Sequence, residues 1–84
     1  MNKYLIEFFG TMFLAFMAFS TGNWLAIGAT LAIIILLGGG FYNPAVAIAS
    51  VVAGKLNNND VIPIIVSEIA GALAGYEIYN FIVK

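Results

Sequence analysis

Cysteine and histidine are both missing from this chain of 84 residues. Their absence excludes disulfides, thiol chemistry and the common zinc sites, and it leaves the redox compartment open. Charge is almost as scarce: only 8% of residues are charged and the net charge is −1, with no basic patch to attract nucleic acid. Paired nucleophile and base, metal clusters and phosphate-binding loops are missing too, so the chain does not read as an enzyme and implies no cofactor. What is present is apolar. Hydrophobic residues make up 63% of the chain, more than a soluble domain of this length can hide, because small domains leave much of their surface exposed. The expected solvent is therefore lipid, and the expected protein is an all-α, multi-pass integral membrane protein.

Polar breaks divide the apolar residues into segments. The first covers residues 4–22 and ends at Thr21-Gly22-Asn23, a tight polar break. The second covers 23–38 and is short for a spanning helix. The third covers 61–83, long enough to span, with Pro63 in its first turn, where a missing N–H costs little. Lys3 followed by an apolar stretch superficially resembles a signal peptide, but Glu7 interrupts it and no clear cleavage site follows, so the segment is expected to remain. Lys3 and Lys55 are expected on one side and Lys84 on the other, a weak orientation bias.

Between the second and third segments lies Gly38-Gly39-Gly40-Phe41-Tyr42-Asn43-Pro44-Ala45-Val46. Glycines break regular structure, Asn43 can cap a new helix, and Pro44 fits its first turn. That helix must be short, because Gly54, Lys55 and the polar run at 57–60 follow. At about 1.5 Å per residue it covers roughly half of a bilayer core, as a re-entrant segment would. The spacing thus predicts three transmembrane helices and, over 38–54, one re-entrant loop and half-helix carrying Asn-Pro-Ala, all in a single unit of residues 1–84.

These residues resemble the aquaporin and glycerol facilitator family. The stretch from Gly39 through Asn43-Pro44-Ala45 to Lys55-Leu56 is similar to that family's Asn-Pro-Ala loop. Glu7-Phe8-Phe9-Gly10-Thr11 looks like its first helix, and Glu68-Ile69-Ala70-Gly71-Ala72-Leu73-Ala74-Gly75 like its glycine-bearing third helix. The order of segments agrees, and the likeness covers nearly the whole chain. Family members carry two such halves, inverted in the membrane plane, whereas this sequence resembles one. A lone half would present loop backbone to lipid and could not close a pore.

The resemblance implies a passive channel for water, and for small neutral solutes such as glycerol. The expected assembly is an antiparallel homodimer around each pore, with four pores and therefore eight chains. It also implies roles. Asn43, besides capping its helix, would donate to permeating water at the pore centre, with Pro44 and Ala45 beside it. Carbonyls of Gly39, Gly40, Phe41 and Tyr42 would line the path. Val46 stands where second halves of the family carry the selectivity Arg, so a homodimer would lack that Arg twice. Asn23, Trp24 or Ile27 would supply the second segment's contribution to the narrow region.

Glu7 and Glu68 would accept from loop and half-helix backbone, since ionisable groups inside an apolar span need partners. Gly71 and Gly75 form a G-x-x-x-G expected to pack helices rather than do chemistry. Two alternative functions stand beside the channel: a small dual-topology, proton-coupled transporter relying on Glu7, and half of a hetero-oligomeric channel completed by a separate protein. A non-conducting structural membrane peptide is a third possibility.

Overall fold

The computed structural model describes residues 2–84 and contains four helices, with no strand among the described residues. They are α1 (Lys3–Thr21), α2 (Trp24–Gly38), α3 (Pro44–Val52) and α4 (Asn58–Ile82). Each begins directly after an asparagine. Asn2 accepts from Tyr4 N at 2.7 Å, Asn23 from Leu25 N at 2.9 Å, Asn43 from Ala45 N at 2.8 Å and Asn57 from Asn59 N at 2.9 Å. An asparagine oxygen satisfies first-turn donors that a helix cannot satisfy itself, and a chain so poor in other polar groups depends on these caps.

Helices also end where backbone chemistry demands. Gly22 (φ 64°) and Gly39 (φ 71°) adopt the left-handed conformation that closes α1 and α2, each donating its N–H to a carbonyl of the last turn. The α4 helix starts three residues before the expected position 61, because Asn57 supplies a cap that the apolar pattern does not reveal. Pro63 therefore lies in the second turn rather than the first. It withholds one hydrogen bond near the polar end of α4, where water or headgroups can replace it.

Two helices, α1 and α4, are long and apolar enough to cross a membrane. At 15 residues α2 is apolar but shorter, about 22 Å long. The α1–α4 pair forms the body of the molecule; α2 packs only on α1, and α3 packs on α4. Gly71 and Gly75 make the central contact possible. A Cβ on Gly71 would overlap the Phe8 carbonyl, and one on Gly75 the Met12 carbonyl. Small residues thus let two backbones touch, which is how helices associate when no hydrophobic drive separates protein from solvent.

Polar contacts hold one end. Lys3 Nζ pairs with Asp60 Oδ2 at 2.7 Å, and the Tyr4 hydroxyl donates to Asp60 Oδ1 at 3.0 Å. These join the first turns of α1 and α4. The contact is exposed, so Asp60→Ala is expected to lower the melting temperature in detergent only slightly, with the difference shrinking further in high salt. A drop that salt does not reduce would show that Asp60 acts through something other than this pair. At the opposite end Phe19 packs edge-on against Tyr76, with ring centroids 5.1 Å apart, and tilted against Tyr79 at 5.7 Å.

Candidate functional site

The candidate site is the loop joining α2 to α3, and its shape follows from where its backbone donors go. Phe41 N donates to Glu7 Oε2 and Tyr42 N to Glu7 Oε1, both at 2.8 Å. Asn43 N donates to Glu68 Oε2 at 3.1 Å. Gly40 N reaches the Tyr42 hydroxyl at 3.3 Å. Four successive amides are thus held by side chains rather than by other backbone. Glu7 (2% exposed) comes from α1 and Glu68 (0%) from α4, so the loop is tied to both halves of the central pair.

A trans peptide unit is planar and directs its C=O opposite to its N–H. None of the peptide bonds here is cis. Pinning the four amides inward therefore turns the carbonyls of Gly39, Gly40, Phe41 and Tyr42 outward, away from the carboxylates and the tyrosine. The result is a row of acceptors with no amide among them.

Asn43 follows this row in an extended conformation (φ −153°) and starts α3, with Pro44 in its first turn. Its side-chain oxygen is occupied by the cap, while its Nδ2 has no acceptor among the described residues. Asn43, Ala45 and Val46 are all exposed, and Pro44 is half-buried. The site lies at different depths along the two long helices: Glu68, which holds the Asn43 amide, is about 15 Å from the start of α4, and Glu7 about 6 Å from the start of α1. The α3 helix, nine residues and about 13 Å long, then leads back toward the end that holds Lys3. Lys3, Lys55 and Asp60 line one cavity of about 300 Å³ together with Glu7 and the loop from Gly38 to Phe41.

Asn23, Trp24 and Ile27 are not gathered with the loop. They sit at the start of α2, about 20 Å of helix away from Gly38. Asn23 Oδ1 accepts from Leu25 N and from Ala26 N, so its oxygen is committed to the α2 cap. Gly71 and Gly75 lie in the α1–α4 contact, away from the loop.

Two features had no place in the sequence reading. The first is the Tyr42 side chain, 3% exposed, whose hydroxyl donates to the Ile34 carbonyl at 2.8 Å. The sequence treated Tyr42 only as a source of a carbonyl. The second is two of the three buried side-chain oxygens that lack partners among the described residues, Thr11 Oγ1 and Glu68 Oε1. Both residues border a groove of about 380 Å³ that also includes Asn43 and Pro44. No group of three or more metal-binding side chains occurs among the described residues.

No family model matches the chain, and no solved structure does. Among curated proteins, it is 35% identical to "Glycerol uptake facilitator protein-like 6" of Lactiplantibacillus plantarum, over 87% of this chain and 40% of that protein. It is 36% identical to "Aquaporin Z" of Brucella melitensis biotype 1, over 88% of this chain and 41% of that protein. The chain therefore spans about two fifths of the length of the curated relatives it matches. Over most of its length the chain is thus similar to an aquaporin and to a glycerol uptake facilitator-like protein, matching one part of each.

Proposed function

We propose that this chain forms a passive membrane channel for water and small neutral solutes such as glycerol, and that it is not an enzyme. The observation that carries the reading is the loop backbone. Side chains hold the amides of residues 40–43 inward, which leaves four outward carbonyls beside the Asn43 Nδ2, whose carboxamide oxygen caps α3. Acceptors followed by a donor can pass a small hydrogen-bonding molecule from one to the next without binding it tightly. The relatives' names, an aquaporin and a glycerol uptake facilitator, point to the same class.

In this reading α1, α2 and α4 span the bilayer, while the loop and α3 form a re-entrant segment whose Asn-Pro-Ala end lies near the midplane. The short α2 spans with little tilt or in a locally thinned membrane. One unit offers half of a channel wall, and a second copy, inverted in the membrane, completes it. Asn43, Ala45 and Val46 are exposed on the open side, and Leu36 and Leu37 of α2 remain uncovered at 84% and 81%. At the centre two Asn43 side chains meet, and two α3 N-termini point at the permeant. Their partial positive charge opposes cations and orients each water, which interrupts the proton wire. The assembly has four such pores and eight chains. With Val46 in both halves, no Arg narrows the outer path, so solutes larger than water are expected to pass as well.

Osmotic swelling of proteoliposomes tests this. Purified protein should raise water flux, and glycerol flux with it, above that of empty vesicles. Asn43→Asp keeps a helix cap but removes the amide donor and adds charge, so flux should fall roughly five- to tenfold, the scale of one lost hydrogen bond. Wild-type vesicles indistinguishable from empty ones would end the channel reading. Reporters at both termini test the inverted pair: a terminus found on one side in every molecule points instead to a separate second-half protein.

A further inference from the structure

Three of the four inward amides are held by carboxylates, and the fourth, Gly40 N, is held by the Tyr42 hydroxyl. Tyr42 is unusual in its own backbone. Its φ is 61°, and it is the non-glycine residue with positive φ among those described. That region is strained for a bulky aromatic and free for glycine. A glycine at 42 would give the loop the same path without strain, in a segment that already uses glycine at 38, 39 and 40. The side chain must therefore return something that the backbone conformation alone does not.

The surroundings of the ring indicate what that is. Tyr42 fills a nest of three glycines. A Cβ on Gly10 would overlap the ring, one on Gly38 would stand 2.5 Å from the hydroxyl, and one on Gly40 would stand 3.0 Å from Cζ and closer still, 2.6 Å, to Glu7 Oε2. Glycine at these points is required by close approach, from α1, from the end of α2 and from the loop itself. At the tip of the ring the hydroxyl donates to Ile34 O at 2.8 Å and accepts from Gly40 N at 3.3 Å. One oxygen thus links the last turn of α2 to the first inward amide of the loop. Because the Gly40 amide and the Gly39 carbonyl share one planar unit, the hydroxyl also fixes where the Gly39 carbonyl points.

We propose that Tyr42 is a positioning residue of the permeation path: its hydroxyl orients the outermost carbonyl of the row, at Gly39, by holding the Gly40 amide against α2. This role rests on the channel reading. Glu7 and Glu68 hold the inner part of the row, and Tyr42 holds the entrance that faces the Lys3–Lys55 cavity. A carbonyl fixed at the entrance favours a permeant able to donate along a defined line. A freely turning one treats water and larger hydroxylated solutes differently.

The test is Tyr42→Phe, which keeps the ring in its nest and removes only the hydroxyl. Three quantities are measured: melting in detergent, hydrogen exchange at the Gly40 amide, and the glycerol-to-water permeability ratio in proteoliposomes. Melting should fall, but by less than in Glu7→Ala, because one loop amide rather than two loses its acceptor. Gly40 exchange should rise roughly fivefold or more, and the permeability ratio should change by roughly threefold, both on the scale of one hydrogen bond. An unchanged Gly40 exchange, or an unchanged ratio in a conducting variant, overturns this role and leaves the channel reading intact. Absence of flux from wild-type vesicles overturns both. If Tyr42→Phe does not fold, the wild-type protein decides: a Gly40 amide that exchanges as fast as solvent-exposed loop amides overturns the role, and one protected like Phe41 and Tyr42 supports it.

Discussion

Glu7→Ala should unfold the loop and destabilise the protein by about 2–6 kcal/mol, the cost of leaving two buried backbone donors without an acceptor. Both Glu7 oxygens are used, one by Phe41 N and one by Tyr42 N, and the side chain is 2% exposed. Water cannot replace it cheaply within a bilayer, where unsatisfied backbone is most expensive. Glu7→Gln should be milder, because one oxygen remains to accept while the amide group opposes the second donor. Thermal unfolding in detergent and exchange at the Phe41 and Tyr42 amides measure both variants. Glu7→Ala with wild-type melting and protected amides would refute the account. Flux separates the roles further. A Glu7→Gln channel that conducts water at every pH argues against a proton-coupled transporter, which would need the titrating group.

Gly71→Val comes next in expected effect. Its side chain would enter the Phe8 carbonyl and crowd Met12 N, both backbone atoms that cannot rotate away. Overpacking typically costs about 1–3 kcal/mol, and more where only a helix shift relieves it. Here the shift would separate α1 from α4, and with them Glu7 from Glu68. The variant is therefore expected to lose loop protection along with stability, although residue 71 does not touch the loop. Ala70→Val, one residue away on the exposed side, is the control and should melt close to wild type. Equal melting of the two variants would mean that the α1–α4 contact does not depend on close backbone approach.

The residues differ in how far the sequence alone reveals them. The α3 helix is legible because its signals are local: a glycine run, then Asn43, then Pro44, then an early stop at Gly54. Gly71 and Gly75 are legible as a packing pair because their four-residue spacing is a helix-face pattern. Their partners are not legible, since which backbone a glycine admits depends on how α1 is set against α4. The start of α4 is misread by three residues because caps do not show in hydropathy. Asn23, a candidate for the narrow region by resemblance, caps α2 at the far end from the loop. Tyr42 is the largest gap. Neither its φ nor the nest of Gly10, Gly38 and Gly40 can be read from the neighbouring letters, because Gly10 lies 32 positions earlier in the chain.

The sequence by itself determined the solvent, the helical character, the break before Asn43 and the family likeness. These follow from composition and short-range pattern, where hydrophobic content, glycine and proline act directly on the local chain. Only the tertiary structure decided which donors meet which acceptors. It brought Glu7 from α1 and Glu68 from α4 to three consecutive amides, and Tyr42 to a fourth. The physical reason is that a hydrogen bond is a contact between particular atoms. In a chain with few polar groups, those atoms lie in segments far apart in sequence and meet only when α1 and α4 pack. The loop of Gly38 to Asn43 is therefore a local signal whose meaning, carbonyls out and amides in, is set by helices on either side of it.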